Sequence, residues 1–114
     1  MTNKIKYQKE ISRIKKALVE NYKPEKIILF GSCVRGEMTE DSDLDFVIIK
    51  KSKDPKTERT KNIYNILNKL ENRLPCDVLT YTPKEFENRL NLGDFFVKDI
   101  VKEGKILYEK KIIY

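Results

Sequence analysis

The stretch KIILFGSCVRGEMTEDSDLDFVII, residues 26–49, decides the reading of this chain. An apolar run, Lys26-Ile27-Ile28-Leu29-Phe30, stops at Gly31-Ser32. Ten residues, Cys33 to Ser42, follow, and Asp43-Leu44-Asp45 then opens a second apolar run, Phe46-Val47-Ile48-Ile49. Short apolar runs bounded by turn residues read as buried strands. The order is therefore a strand, a glycine turn, a polar loop and a second strand whose entrance is acidic. In extended backbone, residues i and i+2 project from one face with Cα atoms about 6.5 Å apart, so Asp43 and Asp45 point together and Leu44 points away. Two parallel carboxylates repel unless a cation lies between them. Hard oxygen donors without Cys or His suit Mg²⁺, which also takes phosphate oxygens. Paired ions about 4 Å apart, bridged by such carboxylates, can clamp both sides of a phosphoryl displacement. Gly31 lets the backbone approach a ligand closely, and Ser32 is placed to cap a short helix whose free N–H groups attract phosphate. A lone Asp-X-Asp is common at solvated strand ends; here its meaning comes from the strand, turn and spacer before it and the strand after it.

Together these residues resemble the signature of the minimal nucleotidyltransferases, within the polymerase-beta-like nucleotidyltransferase superfamily. The match consists of Gly31-Ser32, ten residues, then Asp43-X-Asp45, with Arg35-Gly36 and Ser42 where that family commonly carries Arg-Gly and a small hydroxyl residue. The resemblance covers almost the whole chain. It implies an α/β fold with a small mixed sheet of about four strands packed with helices. It also implies that Asp43, Asp45 and Asp77 are the catalytic carboxylates and metal ligands, holding two Mg²⁺ ions. Gly31, Ser32, Arg35 and Ser42 would contact the nucleotide, with ATP as substrate and AMP as the group transferred. Residue pattern does not distinguish Asp77 from Asp41 or Asp94 as the third acid; the resemblance selects Asp77. For Arg35, a phosphate contact and a salt bridge to Glu37 or Asp41 are both open. Small stand-alone members resemble antitoxins paired with HEPN-domain toxins, whose tyrosine hydroxyl accepts AMP, and this implies a HEPN-domain partner. The alternatives are transfer to a small hydroxylated molecule, as in kanamycin nucleotidyltransferase, or a non-catalytic antitoxin that acts by contact alone.

With 114 residues, the expectation is one domain over residues 1–114. The absence of histidine removes a Ser-His-Asp triad, a Cys-His pair, His-ligated zinc and a His-dependent ribonuclease site from this chain. The net charge is +6, but the lysines are interleaved with glutamates rather than gathered in a stripe. They read as a solvated ionic surface, and nucleic acid is not expected as a direct ligand. A positive field still favours an anionic nucleotide or an acidic partner. No apolar run approaches the roughly 18 residues that span a bilayer, and Met1-Thr2-Asn3-Lys4 does not begin a signal peptide; no membrane and a cytoplasmic location are expected. Cys33 and Cys76 both flank the acidic stretch and are expected to be reduced there.

Elsewhere the pattern predicts an amphipathic helix over 4–22, with Tyr7, Ile11, Ile14, Leu18 and Tyr22 in one stripe. A helical turn over 33–36 ends at Gly36, and a strand spans 44–50. A loop over 50–56 contains Pro55. A helix over 58–74 carries Ile63, Ile66, Leu67, Leu70 and Leu74 on one face and ends at Pro75. A strand over 76–81 brings Asp77 near its start. Thr82-Pro83-Lys84-Glu85 reads as a capping box opening a helix to Leu90. Asp94 caps another over 95–103, with Phe96 and Ile100 inward, before a last strand over 105–108. The tail Ile112-Ile113-Tyr114 is apolar enough to contact another chain, a second copy among the candidates, with fraying as the alternative. Alternating helices and strands place the chain in the α/β class.

Overall fold

The computed structural model describes residues 3–37, 39 and 42–111. In chain order the elements are α1 (Asn3–Asn21), β1 (Lys26–Phe30), α2 (Ser32–Arg35), β2 (Leu44–Ile49), α3 (Lys56–Leu67), β3 (Cys76–Tyr81), α4 (Pro83–Asn91), α5 (Phe95–Glu103) and β4 (Lys105–Glu109). The four strands form one sheet in the order β3-β2-β1-β4. β1 runs antiparallel to both of its neighbours, while β2 and β3 are parallel. That parallel pair needs a crossover, which α3 supplies. The fold is the mixed α/β arrangement that the resemblance implies.

Strand alternation sorts the core into two layers. Ile27 and Leu29 of β1, Leu44, Phe46 and Ile48 of β2, and Cys76 and Val78 of β3 turn one face toward Ile14 and Leu18 of α1 and Ile63 and Leu67 of α3. Ile28, Val47 and Ile49 turn the other face toward Phe86 of α4 and Val97 and Ile100 of α5. Both faces of β2 are covered beyond its entrance, so its side chains read as a continuous apolar run. Asp45, two residues before Val47, belongs to the α4–α5 face.

Two expectations are corrected. The helix predicted over 58–74 stops at Leu67. Lys69 and Leu70 close tight turns onto Ile66 and Leu67, and Asn72 takes a left-handed φ of 53°, a conformation that Asn tolerates and a helix does not. Leu70 and Leu74 still pack on the core, but from this connection. In α5, Val97 is the inward residue along with Ile100; Phe96 is 42% exposed and meets Phe30 edge-on, with ring centroids 5.5 Å apart. Asp41 and the tail Ile112-Ile113-Tyr114 lie outside the described residues.

Candidate active site

β1 ends at Phe30, directly opposite Asp45 on antiparallel β2. The next residue, Gly31, has φ 82° and ψ −153°, a region open essentially to glycine. A Cβ there would collide with the Asp45 carboxylate. Glycine is thus required twice at this position: by the backbone turn and by the acid packed against it. Ser32 is the first residue of α2 rather than its cap; Gly31 holds the cap position, which corrects the capping role expected of Ser32. The turn closes at Gly36, left-handed at φ 74°, whose N–H donates to the Ser32 carbonyl.

β2 and β3 run parallel with Asp45 and Asp77 directly paired. In-register neighbours share a face, so the two carboxylates stand side by side on adjacent strands, which are about 4.8 Å apart. Asp43 precedes β2 by one residue and is exposed. Burial raises the Asp45 carboxyl above its usual range; the Asp77 and then the Asp43 carboxylates push it further, and Arg35 opposes them. The three acids and one guanidinium therefore share one electrostatic neighbourhood. Asp94 is otherwise occupied, since its side chain accepts from Phe96 N (2.9 Å) and Val97 N (3.2 Å) at the start of α5.

Arg35 pairs with Glu37 through Nε at 3.1 Å, both exposed, an arrangement of little energetic weight that can be exchanged. Ser42 serves the loop: its Oγ accepts from Thr39 N at 2.8 Å. Pattern reading assigned Tyr7 to packing alone, yet its hydroxyl donates to the carbonyls of Thr39 (3.0 Å) and Ser42 (3.2 Å), tying the loop before Asp43 to α1. No local signal marks this role, because the contact joins a helix face to a distant loop. Cys33 and Cys76 are free thiols. Burial raises Cys33, and Asp45 adds to it.

A cavity of about 310 Å³ opens beside Gly31, between Phe30, Arg35 and the α5 residues Phe96, Asp99 and Glu103. A larger apolar cavity of about 490 Å³ lies between α4, α5 and β4, and neither cavity is lined by Asp43, Asp45 or Asp77.

Among the described residues, no three Cys, Asp or Glu side chains are gathered so as to hold an ion by themselves. Donor chemistry nevertheless fits Mg²⁺, an ion commonly bound through one or two carboxylates with phosphate oxygens and water completing its shell. The crowding that raises Asp45 is what a cation would relieve. The fit is to a metal carried with a nucleotide rather than to a free ion. No helix among the described residues is long and apolar enough to cross a membrane.

Comparison with known proteins bears on the family and the fold. Residues 11–108 match the family model of the nucleotidyltransferase domain. Three relatives from Methanocaldococcus jannaschii are provisionally named protein adenylyltransferases. One is 29% identical over 103 residues, 89% of this chain and 97% of that protein. The others are 44% identical over 52 residues and 54% identical over 41 residues, covering 42% and 35% of this chain. Those matches span only 60% and 41% of the relatives' own lengths. A crystal structure from Sulfolobus solfataricus, provisionally described as a nucleotidyltransferase, superposes with a TM-score of 0.66 at 19% identity, over 94% of this chain and 84% of that one; it supports the fold alone. With its family model reaching from the middle of α1 into β4, the chain belongs to the nucleotidyltransferase domain family.

Proposed function

We propose that the chain is a Mg²⁺-dependent nucleotidyltransferase that moves AMP from ATP to a tyrosine hydroxyl of a HEPN-domain toxin, and so acts as its antitoxin. The observation that carries the reading is the in-register pair Asp45 and Asp77, set on the sheet face where Gly31 packs against Asp45. Relatives named for protein adenylylation support the transferred group and the class of acceptor. Asp43 and Asp77 are both exposed, so the acids can be reached by a macromolecular surface.

In this reading Ser32, the Gly31 backbone and Arg35 orient the triphosphate, with Arg35 exchanging Glu37 for phosphate. Ser42 acts mainly by shaping the loop that presents Asp43. The tyrosine oxygen attacks the α-phosphorus, the bond from that phosphorus to the bridging oxygen breaks, and pyrophosphate leaves. Asp77, at the open edge, receives the tyrosine proton. Asp43, Asp45 and Asp77, together with the triphosphate oxygens, would hold Mg²⁺, which would neutralise the phosphates and lower the pKa of the acceptor hydroxyl. Little covalent chemistry falls to the protein; its work is in-line positioning and charge compensation.

The test is co-expression with a HEPN-domain partner, followed by intact-mass and peptide analysis. The expected result is one added AMP on a partner tyrosine with the native chain and none with Asp43→Asn. An unmodified partner beside an active native chain would remove the tyrosine acceptor from the reading. A partner silenced equally by Asp43→Asn would leave inhibition by contact.

A further inference from the structure

We propose that Tyr64 is a positioning residue that keeps Asp77 aligned with Asp45 by standing in for the strand that β3 lacks on its outer side. This rests on the assignment of Asp77 to the acid site made above.

Among the described residues β3 is an edge strand, paired with β2 alone. Its outward backbone groups need a partner other than a strand. Tyr64, half-buried on α3, reaches the edge. Its hydroxyl accepts the Val78 N–H at 3.1 Å and donates to the Cys76 carbonyl at 3.4 Å. Those two residues flank Asp77, so one side chain closes the ladder on either side of the acid. α3 covers the opposite sheet face, and Tyr64 therefore acts on the site from behind without lining it. The approach to β3 is fastened as well. Leu44 N donates to the Pro75 carbonyl at 3.1 Å. Arg73 bonds Asn68 Oδ1 (2.8 Å), the Leu74 carbonyl (3.1 Å) and Cys76 Sγ (3.2 Å), and Leu74 N–H donates to the buried Glu10 carboxylate.

The need for such a clamp follows from charge. Asp45 and Asp77 carry the same sign in direct register, and their repulsion is relieved most easily by the free edge swinging outward. A hydroxyl that ties both flanking peptide groups resists that swing, so the acids stay preset for a cation. Hydrogen-bond partners of a metal-ligating side chain are typically worth about 10–100-fold in metal affinity or activity. Tyr64 bonds the peptide groups beside Asp77 rather than its carboxylate, which places its effect at the lower end.

Tyr64→Phe removes the hydroxyl and leaves the ring. The measurement is the Mg²⁺ concentration that half-saturates binding of α,β-methylene-ATP, in native protein, Tyr64→Phe, Asp77→Asn and the double variant. Tyr64→Phe is expected to raise it about tenfold, Asp77→Asn at least as much, and the double variant no more than Asp77→Asn. In the native chain the Val78 amide, although on an outer edge, is expected to resist hydrogen exchange, a readout that needs no variant. A folded Tyr64→Phe with native Mg²⁺ dependence, beside an impaired Asp77→Asn, overturns the clamp and leaves the site reading standing. An unimpaired Asp77→Asn overturns both. Equal Tyr64→Phe effects with and without the Asp77 carboxylate, or a freely exchanging Val78 amide, also overturn the clamp.

Discussion

A methyl group at position 31 would meet the Asp45 carboxylate, on a backbone turned to φ 82°. Gly31→Ala is therefore expected to lose about 1–3 kcal/mol from backbone strain, seen as a lower urea midpoint, and to displace Asp45 as well. A native-like midpoint would mean that the turn relaxes freely. Asp45→Asn should behave oppositely on stability. It removes one of three crowded charges, so the melting temperature holds or rises, while nucleotidyl transfer falls by at least about 10²–10³-fold. Substantial activity in that variant would end the case for Asp45 as a ligand. The spacing between Gly31 and Asp45 was legible in sequence. Their mutual packing was not, because it depends on the antiparallel register that sets Phe30 opposite Asp45.

Between elements, the decisive contact joins α3 to the start of α4. Arg59 is 2% exposed, and its guanidinium takes both oxygens of Glu85 at 2.9 and 3.0 Å. Glu85 also completes the capping box with Thr82. Burial pushes the Glu85 carboxyl up, but hydrogen bonds from Arg59 and Thr82 outweigh it and hold the group below its usual range. A lowered carboxyl stabilises the fold above the unfolded value of about 4.3, and that contribution is lost as pH falls through the folded value. Glu85→Gln should thus cost about 2 kcal/mol at neutral pH, less than for a fully buried pair because Glu85 is half-exposed. The variant should also show a flatter loss of stability below about pH 4.5; parallel acid denaturation curves for the two proteins would contradict this. The capping box was readable because it spans four residues. Burial of Arg59 was not, since an Arg within KTERTKN reads as solvated, and the same reading overran α3 to Leu74 by following apolar spacing past the turn at Asn72.

For the whole molecule, a chain of net charge +6 brings Asp43 and Asp77 within electrostatic reach of Asp45. Mg²⁺ with ATP should stabilise it by mass action, about 2.7 kcal/mol at a hundredfold excess over Kd, or several degrees in Tm. Mg²⁺ alone should do little, because no three side chains close around it among the described residues. An unchanged Tm with millimolar Mg·ATP would remove the main support for the proposed site. What the sequence determined by itself was local: strand, glycine turn and acidic strand entrance, the caps of α4 and α5, and the chemistry that lacking histidine excludes. These depend on neighbours a few residues apart, where backbone geometry alone sets which side chains meet. The residue pattern left the third acid open and the resemblance selected Asp77; its place beside Asp45 is a matter of tertiary structure. Asp77 stands beside Asp45 because a crossover through α3 returns the chain parallel to β2 in that register, while Asp94 is spent as a helix cap. A contact between strands separated by a helix leaves no periodicity in the chain, so no local pattern could have shown it.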